Sequence, residues 1–180
     1  QPPASGNTGA LLASRIHYDQ TRVIEVQLKD LADKRIVALG SDEAAKQFKV
    51  LRAQVLARMR QEGWKSLIVT SPTRGCGASL TAVNLAISMA LDVNYTVLLA
   101  DLDLRAPSIR EYFTDERVPG LADYLMHGHL PGILFNPGID RLVVLPGSEA
   151  LPNSSELLGA PGMVDLISEM KLRYDTRIIL

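Results

Sequence analysis

Two stretches of this sequence carry residue types suited to phosphate chemistry. The first is TSPTRGCGASLTAVNLA, residues 70–86. Glycines let successive N–H groups turn toward phosphate oxygens, and a helix that follows adds its positive end. Gly75, Cys76, Gly77, Ala78, Ser79 and Leu80 would form the cradle, and the Ser79 hydroxyl would ligate magnesium. The formal phosphate-loop pattern is G-x-x-x-x-G-K-[ST]. Here Pro72 stands at its first glycine and Ala78 at its lysine. By itself the stretch suits a tight strand-to-helix turn as well as it suits a nucleotide site.

The second stretch is VLLADLDLR, residues 97–105. Asp101 and Asp103 leave the end of an apolar run, where the strand alternation stops and both carboxylates can reach one metal–phosphate group. One would hold magnesium through water and the other would take a proton from an attacking hydroxyl. The competing reading is that each aspartate caps the turn that follows. For D-x-D-x-R beside a glycine loop, the site is the favoured reading.

These loops need strands behind them and helices after them. Ser41 is placed to cap a helix whose apolar residues Phe48, Leu51, Val55 and Met59 recur at helical spacing, with Gly63 as its stop. A short buried strand is expected at Leu67–Val69, then a helix from Ser79 to Leu91, apolar nearly all round and therefore sandwiched. Further strands are expected at Thr96–Leu99, Arg141–Leu145 and Arg177–Leu180, with helices near 121–126 and 163–170. Strands alternating with helices predict an α/β fold with a mostly parallel sheet covered on both faces. In such sheets ligands sit at the carboxyl ends of the strands, where both loops emerge. Residues 1–40 read as a flexible lead and an arm or edge segment, and 41–180 as the domain.

Composition sets the bounds. A chain of 180 residues suits one domain. A net charge of −1 gives no global pull toward nucleic acid or an anionic membrane. Cys76 is the only cysteine, so no internal disulfide forms, which fits a reducing cytosol. The apolar runs stop short of the ~20 residues a membrane helix needs. The start, QPPASGNTGA, lacks the basic and apolar regions of a signal peptide.

Together the two stretches resemble the bacterial tyrosine kinases (BY-kinases) of capsule and exopolysaccharide synthesis, a P-loop family. The likeness runs from about Phe48 to Leu180. It includes LRAQV, the glycine loop and its helix, VLLADLDLRAPSI, GLADYL and LVVLPGSEALPNSSELL. The resemblance implies a P-loop, NTPase-like three-layer sandwich that binds ATP with magnesium. It makes Asp101 the catalytic base and a magnesium-associated group, Asp103 its metal-binding companion, Ser79 a magnesium ligand and Arg105 part of the same motif. It implies a cytoplasmic autokinase at the inner face of the membrane, activated by an inner-membrane polysaccharide copolymerase and able to self-associate.

The departures are specific. Ala78 replaces the phosphate-loop lysine, and Ala106 stands where an arginine is common. The family's E-x-x-R-x-x-R ring motif falls on Lys46, Lys49 and Arg52, without its acid. The third motif would follow Leu180, so the domain is expected to be incomplete there. A lysine ammonium on the phosphates is worth about 1.5–3 kcal/mol per charge-assisted hydrogen bond. Its loss predicts impaired catalysis with weak nucleotide binding, and the alternative is a pseudokinase that docks on the membrane machinery. A partitioning-type ATPase is disfavoured, because Thr73 and Arg74 stand where its extra lysine belongs. Arg74 is more readily a solvent-facing loop residue than a substitute cation. Cys76 is more readily a small filler than a reactive thiol. His127 and His129 read as surface, and Tyr112, Tyr124 and Tyr174 are scattered. The basic side of the 43–60 helix is a solvated face or a partner surface.

Overall fold

The computed structural model describes residues 21–128, 132–172 and 176–180. The N-terminal lead, His129 and Tyr174 lie outside the described residues. The elements are β1 (Arg22–Val23), α1 (Leu28–Asp33), α2 (Glu43–Glu62), α3 (Ala78–Ala90), β2 (Thr96–Ala100), α4 (Leu121–His127), β3 (Phe135–Asn136), β4 (Leu142–Leu145), α5 (Ser154–Leu158), α6 (Pro161–Leu172) and β5 (Arg177–Ile179). The sheet order is β1-β3-β4-β2-β5. Every pair is parallel except β3 with β4.

β2 explains the layering. Val97 and Leu99 enter one core with Leu142, Val144 and Ile178, beneath Val83 and Ile87 of α3 and Leu56 and Met59 of α2. Leu98, between them, enters a second core with Val143, Leu145, Leu121 and the α6 residues Met163, Leu166 and Met170. Neighbouring strand residues point to opposite faces, so a continuous apolar run fills two cores and fixes three layers. Each such leucine or valine contributes about 1.5–3 kcal/mol by leaving water. From Ala82 to Ala90 every residue of α3 is buried, as expected for a sandwiched helix.

Helix α2 starts one residue later than the sequence suggests. Asp42, not Ser41, is its cap, and its carboxylate accepts the Ala45 N–H at 2.8 Å. Gly63 ends it in the left-handed region at φ 69°, a backbone shape glycine adopts without steric cost. On the side toward α3, the Arg52 guanidinium donates to the Ser88 carbonyl at 2.7 Å.

The expected strand at Leu67–Val69 is not formed. Ser66 makes an isolated parallel bridge with Ile179, and Leu67 N–H donates to the Ile179 carbonyl at 2.9 Å. Ile68 is 81% exposed. The segment lies beside β5 at the sheet edge, where the bonds of Lys65 and Leu67 with Ile179 make one bridge and not a ladder.

Residues 21–40 pack on the domain. β1 extends the sheet beside β3, and Leu31, Ile36 and Ala38 are buried in the core under α3. The buried Asn84 side chain of α3 holds this segment. Its oxygen accepts the N–H groups of Val37 and Ala38 at 2.8 and 3.0 Å. Its amide donates to the carbonyls of Arg35 and Leu80 at 3.3 and 3.0 Å.

Candidate nucleotide and magnesium site

The glycine loop is shaped by backbone. Gly75 and Gly77 sit at φ 78° and 85°, where a Cβ is sterically disfavoured. Gly77 is the N-cap of α3, and no side chain caps the helix. The first-turn N–H groups therefore remain for a ligand or solvent at the positive end of the dipole. Pro72 to Cys76 are exposed, Arg74 among them, while Ala78, Ser79 and Leu80 are half-buried. Ser71 hydroxyl donates to the Thr73 carbonyl at 2.9 Å, and Thr73 Oγ1 lies 3.0 Å from Cys76 Sγ. Cys76 is thus exposed in the loop and is not a packed filler.

The aspartate loop is shaped by a carboxylate. Asp101 directly follows β2, and its N–H donates to the Leu145 carbonyl at 2.9 Å. Its side chain is buried. Oδ1 accepts the Asp103 N–H at 3.2 Å, and Oδ2 accepts those of Ser108 and Ile109 at 2.7 and 2.9 Å. Burial pushes this carboxyl above the ordinary aspartate range; the three N–H bonds pull it down without cancelling the rise, and the Asp103 charge adds to it. Oδ2 has both lone-pair positions engaged and Oδ1 retains one, so Oδ1 is the atom able to take a proton. Asp103 is exposed, and its Oδ1 accepts the N–H groups of Arg105 and Ala106 at 3.3 and 3.2 Å. Both aspartates therefore cap turns, the competing sequence reading, and in doing so they take different positions: one inside, one at the surface. Arg105 is exposed.

Ser108 joins the loops. Its hydroxyl is hydrogen-bonded to the Ser79 hydroxyl at 2.9 Å, while its N–H donates to Asp101. Gly147, in the turn after β4, closes the site from behind. A Cβ there would stand 2.5 Å from Pro107 Cβ and 3.5 Å from the Asp101 carboxyl carbon. The Gly147 carbonyl also accepts the Ala122 N–H of α4 at 3.1 Å, and the Pro146 carbonyl accepts that of Leu121 at 2.8 Å. The sequence motifs assign no role to Ser108 or Gly147; the only signal is their place in RAPS and LPG, in the loops that follow β2 and β4.

Ser79, Asp101 and Asp103 offer one hydroxyl and two carboxylates, hard oxygens of the kind magnesium takes together with substrate phosphates, and Ser108 links Ser79 to Asp101. Among the described residues no group of three or more His, Cys, Asp or Glu could hold a metal without such help. Magnesium bound together with a nucleotide would suit this donor chemistry, with Ser79, Asp101 and Asp103 as the groups that would hold it. The phosphate cradle fits as well, except that Ala78 brings no cation.

Other candidates fall away from this arrangement. His127 is an exposed residue in the last turn of α4. Tyr112 and Tyr124 are half-buried in separate elements. The basic side of α2 is partly engaged: Lys46 pairs with Glu43 at 3.4 Å and Arg58 with Glu62 at 2.9 Å. Among the described residues no helix is long and apolar enough to cross a membrane.

No family model matches the chain. EpsB of Ralstonia solanacearum is 31% identical over 147 residues, 77% of this chain and 18% of its own length. The tyrosine-protein kinase YwqD of Bacillus subtilis is 31% identical over 145 residues, 79% of this chain and 61% of its own length. The chain thus spans less than two thirds of either relative. The solved BceF tyrosine kinase domain superposes with a TM-score of 0.70 at 25% identity, covering 89% of this chain and 69% of that domain.

Proposed function

We propose that this chain, a homologue of the bacterial tyrosine-protein kinases with the P-loop α/β fold of their kinase domains, is a magnesium-nucleotide domain of that kinase type, weakened by Ala78. The observation that carries the proposal is the meeting of two loops at Ser108: an uncapped helix start behind left-handed glycines, and a buried carboxylate with one free acceptor position. When bound, magnesium would neutralise phosphate charge between Ser79 and Asp103. The first-turn N–H groups of α3 would hold the phosphates. Asp101 Oδ1 would accept a tyrosine hydroxyl proton, a role its raised proton affinity favours. The setting proposed is exopolysaccharide or capsule synthesis, at the cytoplasmic face of the inner membrane, with an inner-membrane copolymerase as activating partner and self-association as an option.

A second reading, a pseudokinase acting as a docking partner, is favoured by one specific feature. Ala78 occupies the first position of α3 and supplies no ammonium to the transferring phosphoryl group, where positioned cations do most of the work. Calorimetry with magnesium-ATP separates the readings, together with a phosphotyrosine assay. Ala78→Lys is expected to tighten ATP about 10- to 100-fold, the equivalent of one charge-assisted contact. In that background Asp101→Asn is expected to cut transfer about 10²- to 10⁴-fold while ATP still binds. Tightened ATP binding without transfer in Ala78→Lys would favour the pseudokinase. No ATP binding in either chain would sink the nucleotide reading.

A further inference from the structure

We propose that Ser108 is the positioning residue for Ser79: its oxygen takes the Ser79 hydroxyl proton, so that the Ser79 lone pairs face magnesium. This rests on the nucleotide-site reading above. A hydroxyl has one proton and two acceptor positions. A cation repels a proton aimed at it, so a serine that ligates magnesium must send its O–H elsewhere. Ser108 Oγ lies 2.9 Å away, and because a hydroxyl proton rotates to suit its surroundings, a cation at Ser79 would leave Ser108 as the acceptor of the pair.

Two features separate this from an incidental contact. Ser108 stands at the N-cap of the 3-10 turn Ile109–Tyr112, where a serine ordinarily turns its hydroxyl onto the backbone ahead. Here it makes no side-chain cap and is turned to Ser79 instead. Its backbone is also fixed by Asp101, through the 2.7 Å bond from Ser108 N–H to Oδ2. The buried carboxylate thereby sets where the Ser79 proton can go. Groups that orient a metal ligand in this manner typically change metal affinity 10- to 100-fold when removed.

The test is calorimetric titration of ADP with and without magnesium in the Ala78→Lys chain, where the tightest binding is expected. Ser108→Ala is expected to leave magnesium-free ADP affinity unchanged and to reduce the gain from magnesium about tenfold. Ser108→Thr should retain the gain, and Ser108→Val, similar in shape without a hydroxyl, should lose it; that pair gives the answer if the alanine variant is unstable. In a Ser79→Ala background, Ser108→Ala should have no additional effect. An unchanged magnesium gain in both Ser108→Ala and Ser108→Val, or an additional loss in the Ser79→Ala background, would overturn the positioning role alone. If ADP shows no magnesium dependence in the Ala78→Lys parent, the nucleotide reading falls and takes this inference with it.

Discussion

Between Asp101 and Ile109 the chain closes on a buried carboxylate, whereas between Ser71 and Gly77 it stays exposed and is bent by two left-handed glycines. The first loop carries its own acceptors, which take the N–H groups of Asp103, Arg105, Ala106, Ser108 and Ile109. The second presents donors at a helix start with no side-chain cap. A loop held by an internal carboxylate keeps its shape with or without ligand. A loop of exposed glycines gains much of its order from what it binds. Substitutions in the first should damage stability and site together, and substitutions in the second should damage binding ahead of stability.

Two glycines test that division. Gly147→Ala places a methyl against the rigid Pro107 ring and beside Asp101. Overpacking of this kind costs about 1–3 kcal/mol, so denaturant unfolding should show that loss, and nucleotide binding should fall with it. Gly77→Ala meets no atom within 4 Å and is opposed only by its φ of 85°, a strain of about 1–2 kcal/mol. Its expected signature is a smaller unfolding penalty and a larger loss of ATP affinity. Equal ratios of the two effects in both variants would break the comparison.

The smallest effect is in pH dependence. Burial pushes Asp123 up, but the Ser148 hydroxyl, the Gly120 N–H and the Arg117 charge outweigh it and hold the carboxyl below its ordinary range. A lowered carboxylate adds stability above the unfolded value, about 3.9, and loses it as pH falls through the folded value. Asp123→Asn should therefore melt below the parent at neutral pH, with the gap narrowing below about pH 4. Asp101 has the opposite sign. Its carboxyl takes up a proton above the ordinary range, so its contribution to stability rises on acidification, until the unfolded chain is protonated as well. A constant Asp123→Asn gap across the acid range would contradict the first assignment.

Much of this architecture is legible in the sequence, because apolar runs such as TVLL and LVVL allow few alternatives. Both became parallel strands buried on two faces, paired Val97 to Leu142 onward. Leu67–Val69 reads the same way locally, but strand formation there depends on a neighbour that hydropathy does not reveal. Arg22–Val23 is the converse case: it is barely apolar, yet it pairs with β3 because Asn84 and the core hold the following residues in place. In the site, side chains with chemistry of their own, Asp101, Asp103 and Ser79, announce themselves by type and spacing. Ser108 and Gly147 do not, since a single hydroxyl or a missing Cβ gains meaning only from what stands opposite it.

β2 has a strand on each side and a core on each face, while the segment before the glycine loop is bonded only to β5. On the scale of amide exchange these are opposite ends. The Val97–Leu99 amides are in the part of the sheet that opens only when the whole domain does, and the 66–69 amides lie where local fraying suffices. Asp101 thus hangs from the strand expected to exchange slowest, and the glycine loop joins an edge expected to exchange fast to the buried helix α3 that carries Ser79.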